Sequence, residues 1–311
     1  MQFRKPKFWV NQKLSIWSIL LLPFSMIFLF LTWIVKIPSI LKGHKKNPLP
    51  VICVGNIYIG GTGKTPLARE IFEITKSFGK NPAFIKKYYS YLTDEFEMLK
   101  ATGKTYTDYD RNKSIFLSHN DSHDVAILDD GFQDFSIKPD FSILCFNSKQ
   151  MIGNGLVIPS GPLRERLGAI LRADCIVING NRNLEFEKKI FKIIGDKEFH
   201  IFYSKYIIKN IEKLKNNKIT AFAGIGNPSN FFNLLKENNL NVKETFSFPD
   251  HHNYSEKDFE KIIGNKSNQI MTTEKDYYRL NNEQKKHCSY IEVILEIDNK
   301  NKFKEIIKSY L

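Results

Sequence analysis

From Leu14 to Val35 the chain runs through 22 residues without a charge, LSIWSILLLPFSMIFLFLTWIV, with Lys13 before it and Lys36 after it. As a helix this segment is about 33 Å long, enough to cross the hydrocarbon of a bilayer. Beyond it the pattern changes to short apolar runs separated by amphipathic stretches. VICVG, DVAILDD, FSILCF and DCIVING each read as a buried strand, with helical patterns between them. Residues 46–205 therefore predict a parallel sheet covered by helices on both faces. A second alternation begins at 218: strand KITAFAG, a helix opened by Asn227 and Pro228, strand VKETFSF, and a helix from Ser255 with Asp258 as its capping partner. Strands QIMTTEKD and YIEVILEI and a last helix to Leu311 complete it. The expected division is an N-terminal membrane anchor over 1–45, a sheet domain over 46–205, a connector over 206–217, and a second, smaller α/β domain over 218–311.

Trp17 and Trp33 near the ends of the apolar segment, and the basic residues flanking it, favour embedding in a membrane. A cleaved signal peptide would need a shorter apolar core and a small-residue cleavage site, and the KGHKKNP that follows supplies neither. Spanning is the expected mode. Pro23, Ser15, Ser18, Ser25 and Thr32 make a helix lying in the interface the competing one. Four basic residues precede the segment (Arg4, Lys5, Lys7, Lys13) and four follow it (Lys36, Lys42, Lys45, Lys46), so lysine counting sets no orientation.

The formal charge of +13 changes meaning once it is located. No acidic residue precedes Glu70, and the first 69 residues carry ten basic ones, whereas the remainder holds 36 basic against 33 acidic. Excess charge gathered around an apolar segment suits anionic headgroups, and lysines near His44 suit lipid phosphates; no nucleic-acid partner is expected. Cys53, Cys145, Cys175 and Cys288 form no C-x-x-C pair, which excludes a signalled zinc cluster or disulfide framework and fits buried thiols in a reducing compartment.

The chemistry is concentrated after the first strand, where GNIYIGGTGKTP leads into the helical pattern LAREIFEITKSFG. A glycine-rich loop at a helix N-terminus gathers backbone N–H groups on a phosphate, here from Gly60, Gly61, Thr62, Gly63, Lys64 and Thr65. Lys64 would reach the β- and γ-phosphates and Thr65 would hold Mg²⁺. Tyr58 stands where the strict pattern has its first glycine. DVAILDD supplies the matching strand, with Asp129 as a metal ligand and Asp130 beside it as a catalytic carboxylate. The fold class expected is α/β, a P-loop-type parallel-sheet domain plus a second, smaller α/β domain, with an N-terminal membrane helix. Such a loop meets its nucleotide only in the cytosol, so the bulk of the chain should face the cytoplasm.

Six stretches in order carry a chain-wide resemblance: VGNIYIGGTGKTP at 54–66, DDGFQD at 129–134, GNGLVIPSGPLRE at 153–165, AFAGIGNPSNFF at 221–232, FPDHHNYS at 248–255 and TTEKD at 272–276. The sequence resembles the tetraacyldisaccharide 4′-kinase family. That resemblance implies transfer of the ATP γ-phosphoryl group to the 4′-hydroxyl of tetraacyldisaccharide 1-phosphate in lipid A biosynthesis. It implies ATP and Mg²⁺, a lipid A disaccharide precursor and inner-membrane lipid as partners, and no obligate protein partner. It places the family's proposed base on Asp94, with Glu95 beside it, pairs that base with His251, and puts Glu165 near the metal. Arg164, Lys275 and Asp276 fall in the same motifs. The segment that usually reads SRGYG is KKYYS here, Lys86 to Ser90. A membrane-associated switch ATPase of the partition or Min type is the alternative, but those proteins carry a lysine five residues before the loop lysine, and Ile59 stands there.

Overall fold

The computed structural model describes residues 6–10, 14–43, 46–89, 93–209, 211–264 and 268–311; Arg4, Lys5, Lys13, His44, Lys45 and Ser90 lie outside them. The described strands are β1 (Val51–Gly55), β2 (Pro82–Lys87), β3 (Thr105–Asp108), β4 (Val125–Asp129), β5 (Phe141–Asn147) and β6 (Cys175–Asn179). They continue as β7 (His200–Ile208), β8 (Ile219–Ala223), β9 (Val242–Ser247), β10 (Gln269–Thr273), β11 (Ser289–Ile291) and β12 (Val293–Ile297). One sheet runs in the order β12-β7-β6-β5-β1-β4-β2-β3 and a second in the order β11-β10-β8-β9. The pairings from β7 through to β3 are parallel, as are all those of the second sheet. This is the α/β architecture read from the alternation of apolar runs. β1 and β4 are buried at every position, the signature of central strands covered on both faces.

The chain divides into two compact units that interleave in sequence. The first takes Lys5–Tyr88, Thr102–Lys205 and Glu296–Leu311, and the second takes Tyr89–Ala101 with Tyr206–Leu295. The helix Thr93–Lys100 thus belongs with β8–β11 although it lies between β2 and β3 in sequence. The last helix, Lys300–Ser309, belongs with the first unit: it buries Phe303 and Ile307, Lys300 pairs with Glu70 at 2.6 Å, and Tyr310 just beyond it stacks on Phe141. YIEVILEI, read as one strand, is β11 and β12 in two different sheets, separated at Glu292. Periodicity identifies a strand or an apolar helix face, but not the sheet it joins.

Within the first unit, the apolar segment folds as a helix Ile16–Leu20 capped by Ser15, a turn at Leu21, and a helix Leu22–Lys42. Pro23 sits in the first turn of the longer helix, where its missing N–H costs nothing. Residues Leu22–Ser39 are long and apolar enough to cross a membrane. One face is nonetheless docked. Ser25 is buried and its hydroxyl donates to Val157 O at 2.8 Å, Asn154 Nδ2 donates to Ser18 Oγ at 3.1 Å, Phe28 and Leu29 pack against the main core, and Lys36 pairs with Glu165 at 3.0 Å. Ahead of it, the buried Trp9 donates its indole N–H to Pro159 O. The opposite face, with Phe24, Ile27, Phe30, Leu31, Ile34 and Val35, is open.

Candidate active site

Each unit brings together its own set of the sequence-predicted residues. In the first, β1 ends at Gly55, where a Cβ would come within 2.4 Å of the Phe132 Cβ; only glycine lets the strand end pack under the DDGFQD turn. Asn56, fully buried, ties down the loop that follows by donating to Thr62 Oγ1 at 2.9 Å and Gly60 O at 3.3 Å. Gly60 and Gly63 take φ of 108° and 95°, a region closed to most side chains, and Gly63 opens the 14-residue helix Lys64–Ser77 without a side-chain cap. The first-turn N–H groups are therefore available to an anion at the positive end of the helix. Tyr58 departs from the glycine of the strict pattern because it is anchored: it is 1% exposed and bridges to Leu163, while Ile59 N–H donates to Pro162 O. The PSGPLRE segment thereby forms one wall of the phosphate loop.

β4 lies beside β1, with Asp129 level with Val54 and, on its other side, with Lys86 of β2. The Thr65 hydroxyl meets Asp129 Oδ2 at 3.0 Å, and Lys86 Nζ meets the same oxygen at 2.7 Å. Asp129 Oδ1 is buried and has no hydrogen-bond partner among the described residues. Asp130 turns out of the strand with φ of 60°, pairs with Arg164 at 3.1 Å and lies 3.7 Å from Lys64. Burial raises its pKa, but Lys64, Arg164 and Lys86 outweigh that and hold the carboxyl at about 2. Arg111, buried beneath the turn, fixes it by donating to Asp130 O and to Asp134.

Glu165 is brought to this site but not as a free ligand. Arg172 holds both its oxygens at 3.0 Å, Lys36 takes Oε2 and Gln133 donates to Oε1 at 3.1 Å. Burial raises its pKa, yet Arg172 and Lys36 bring it below the ordinary value. A metal would have to displace one of these donors to reach it. Among the described residues no three Asp, Glu, His or Cys side chains cluster tightly enough to hold a metal alone. What is present, an unpartnered buried Oδ1 on Asp129 and the adjacent Thr65 hydroxyl, fits Mg²⁺, which takes one or two protein oxygens and completes its shell with phosphate and water.

The second unit assembles Asp94, His251 and Lys275. Asp94 lies in the first turn of the helix Thr93–Lys100 and is 2% exposed. Arg279 clamps it, with Nε donating at 2.8 Å and an Nη group reaching the same oxygen. His251, in a left-handed conformation with φ of 57°, brings Nδ1 to 3.6 Å from Asp94 and 3.2 Å from the Arg279 guanidinium, and Nε2 to 3.4 Å from Lys275 Nζ. Burial, then Lys275 and Arg279, lower its pKa below 6.5. Lys275 also pairs with Glu95 at 3.1 Å. Asp276 has a different task. Fully buried, it accepts from Gly224 N–H, the Tyr254 and Thr273 hydroxyls and Arg279, which locks the TTEKD turn. His252 is likewise structural, pairing with the capping residue Asp258 at 3.0 Å.

Arg279, Lys86, Gln133 and Lys36 are the site residues that motif reading did not single out. Lys86 carried a signal: a lysine that continues directly from the apolar run PAFI needs a buried partner. The four cysteines are buried as expected, and burial pushes the Cys53 and Cys288 thiols up to about 12.

The sequence model of tetraacyldisaccharide-1-P 4′-kinases matches residues 17–104 and 90–311. The chain belongs to that family. A tetraacyldisaccharide 4′-kinase of Pelagibacter ubique is 41% identical over 315 residues, 99% of this chain and 98% of the relative. One from Francisella tularensis subsp. novicida is 28% identical over 94% of this chain and 99% of its own length. The crystal structure of the Aquifex aeolicus family member LpxK, in its "apo" form in complex with ATP, superposes with a TM-score of 0.72 at 26% identity, covering 94% of this chain and 99% of the other. Family membership across nearly the whole length leaves the switch-ATPase alternative the less supported reading.

Proposed function

We propose that the chain transfers the γ-phosphoryl group of Mg·ATP to the 4′-hydroxyl of tetraacyldisaccharide 1-phosphate, a lipid A precursor, at the cytoplasmic face of a bacterial inner membrane. The observation that carries this reading is the uncapped helix start at Lys64 and Thr65 set against Asp129, in a chain of this kinase family. The loop N–H groups and Lys64 bind the phosphates, and Asp130 holds Lys64 and Arg164 in place for them. Thr65 and Asp129 would hold magnesium, which when bound would neutralise phosphate charge. Glu165 serves in this scheme chiefly as the anchor that Lys36 and Arg172 grip.

Transfer also needs an acceptor for the hydroxyl proton. Asp94 with His251 fills that role: the lowered pKa keeps the imidazole neutral and able to take a proton near pH 7. The docked face of the helix Leu22–Lys42, tied down through Ser25 and Lys36, and its open apolar face favour a helix lying along the membrane surface over one crossing it. That placement suits a substrate whose acyl chains stay in the bilayer. The scheme calls on no nucleic acid and no obligate protein partner.

The test uses γ-labelled ATP and detergent-dispersed acceptor. Label should enter the lipid with the parent protein and not with Lys64→Ala or Asp129→Ala. Release of label as inorganic phosphate at a rate indifferent to acceptor would instead support a switch ATPase.

A further inference from the structure

Lys86 is a buried cation of the nucleotide site to which the scheme above gives no task. It lies at the end of β2, and its side chain is 5% exposed. Buried lysines are stable only when paired, and this one is paired with Asp129 at 2.7 Å, itself 1% exposed. Lys86 and Thr65 share Oδ2, which leaves Oδ1 without a partner among the described residues. Among the described residues, three cations, Lys64, Lys86 and Arg164, pair with the two carboxylates Asp129 and Asp130. Counted over these described residues, the cluster is net positive before anything binds. A bare divalent cation approaching Oδ1 meets repulsion that a water-poor site screens weakly. A nucleoside triphosphate brings several negative charges and reverses the balance.

We propose that Lys86 is a resident counter-ion for the metal-binding carboxylate, so that a divalent cation enters this site only together with a nucleotide triphosphate. Lys86 is then a positioning residue: it orients Asp129 through Oδ2, presents Oδ1, and sets the order of binding without touching the transferred phosphate. The proposal rests on the nucleotide-binding reading above.

The experiment measures Mn²⁺ binding by electron paramagnetic resonance to the full chain in detergent, first without nucleotide and then with ATP. The parent should bind free Mn²⁺ weakly, and Lys86→Met should bind it at least about tenfold more tightly. The gain should vanish in Lys86→Met with Asp129→Asn, which shows that it runs through that carboxylate. Where Lys86→Met fails to fold, Lys86→Gln, which keeps a donor to Oδ2 without the charge, carries the same measurement. Unchanged affinity for free Mn²⁺ in the neutral variants, with Mn·ATP still bound by the parent, overturns the role of Lys86 alone. A parent that binds no Mn·ATP overturns the nucleotide reading itself.

Discussion

Replacing Arg279 with leucine tests whether the second unit is organised around Asp94. The guanidinium is 7% exposed and makes two donations to Asp94 Oδ2, one to Asp276 at 3.0 Å and one to Gly224 O at 2.8 Å. Asp276 would keep three other donors, Gly224 N–H and the hydroxyls of Tyr254 and Thr273. Asp94 would keep the Glu95 N–H at 2.9 Å on its other oxygen and Lys275 at 4.0 Å. The cost thus falls mainly on Asp94, a carboxylate left buried without its close ion pair, and should be about 3–5 kcal/mol. Because the chain has two units, a single melting temperature would mix them, so native-state hydrogen exchange of the full chain is the suitable assay. Amides of Tyr206–Leu295 that exchange through opening of the unit should speed up by about two to four orders of magnitude, with smaller changes around β1 and β4. Adding Asp94→Leu should recover part of the loss, since it removes the stranded charge. Acceleration of less than about tenfold, or a double variant that simply sums the two losses, would refute the clamp.

Three further outcomes follow from the same geometry. Asp94→Ala should lower kcat far more than it raises the KM for ATP, as steady-state transfer kinetics would reveal; full turnover would remove Asp94 from proton transfer. Burial, Lys275 and Arg279 hold His251 below 6.5, so the acid limb of kcat/KM should lie below that pH. Lys275→Met takes away a cation that disfavours the imidazolium, and the limb should move to higher pH; no movement or a downward one would contradict this assignment. Phe30→Glu with Trp33→Glu, both on the open face, should weaken cosedimentation with anionic vesicles while leaving Mg·ATP binding within about twofold; unchanged vesicle binding would count against the surface-lying helix.

Much of the site was legible because it is local. The phosphate loop, Thr65 and Asp129 follow from a strand, a glycine turn and a helix in sequence order, and burial of each strand follows from its apolar run. The partners of those residues were not legible, because they arrive through the fold. Lys86 meets Asp129 only because β2 pairs with β4, and Arg279 meets Asp94 across 185 positions. Glu165 shows the same limit: its motif suggests a metal ligand, whereas Lys36, brought in by the docked N-terminal helix, and Arg172 occupy its oxygens. Helix assignment to sheets failed to show for a similar reason. The apolar faces of Thr93–Lys100 and Lys300–Ser309 announce that each is covered, and only the three-dimensional pairing says by what.

The central claim is that the turn ending in Lys64 and Thr65 holds Mg·ATP beside Asp129. Titration calorimetry of Mg·ATP into the full chain in detergent tests it most directly. The account predicts saturable one-to-one binding that Lys64→Ala weakens by about ten- to a hundredfold, the size expected when a charged phosphate contact in a partly buried site is lost. A folded parent protein that takes up no Mg·ATP, or a Lys64→Ala variant that binds it as tightly as the parent, would contradict the account.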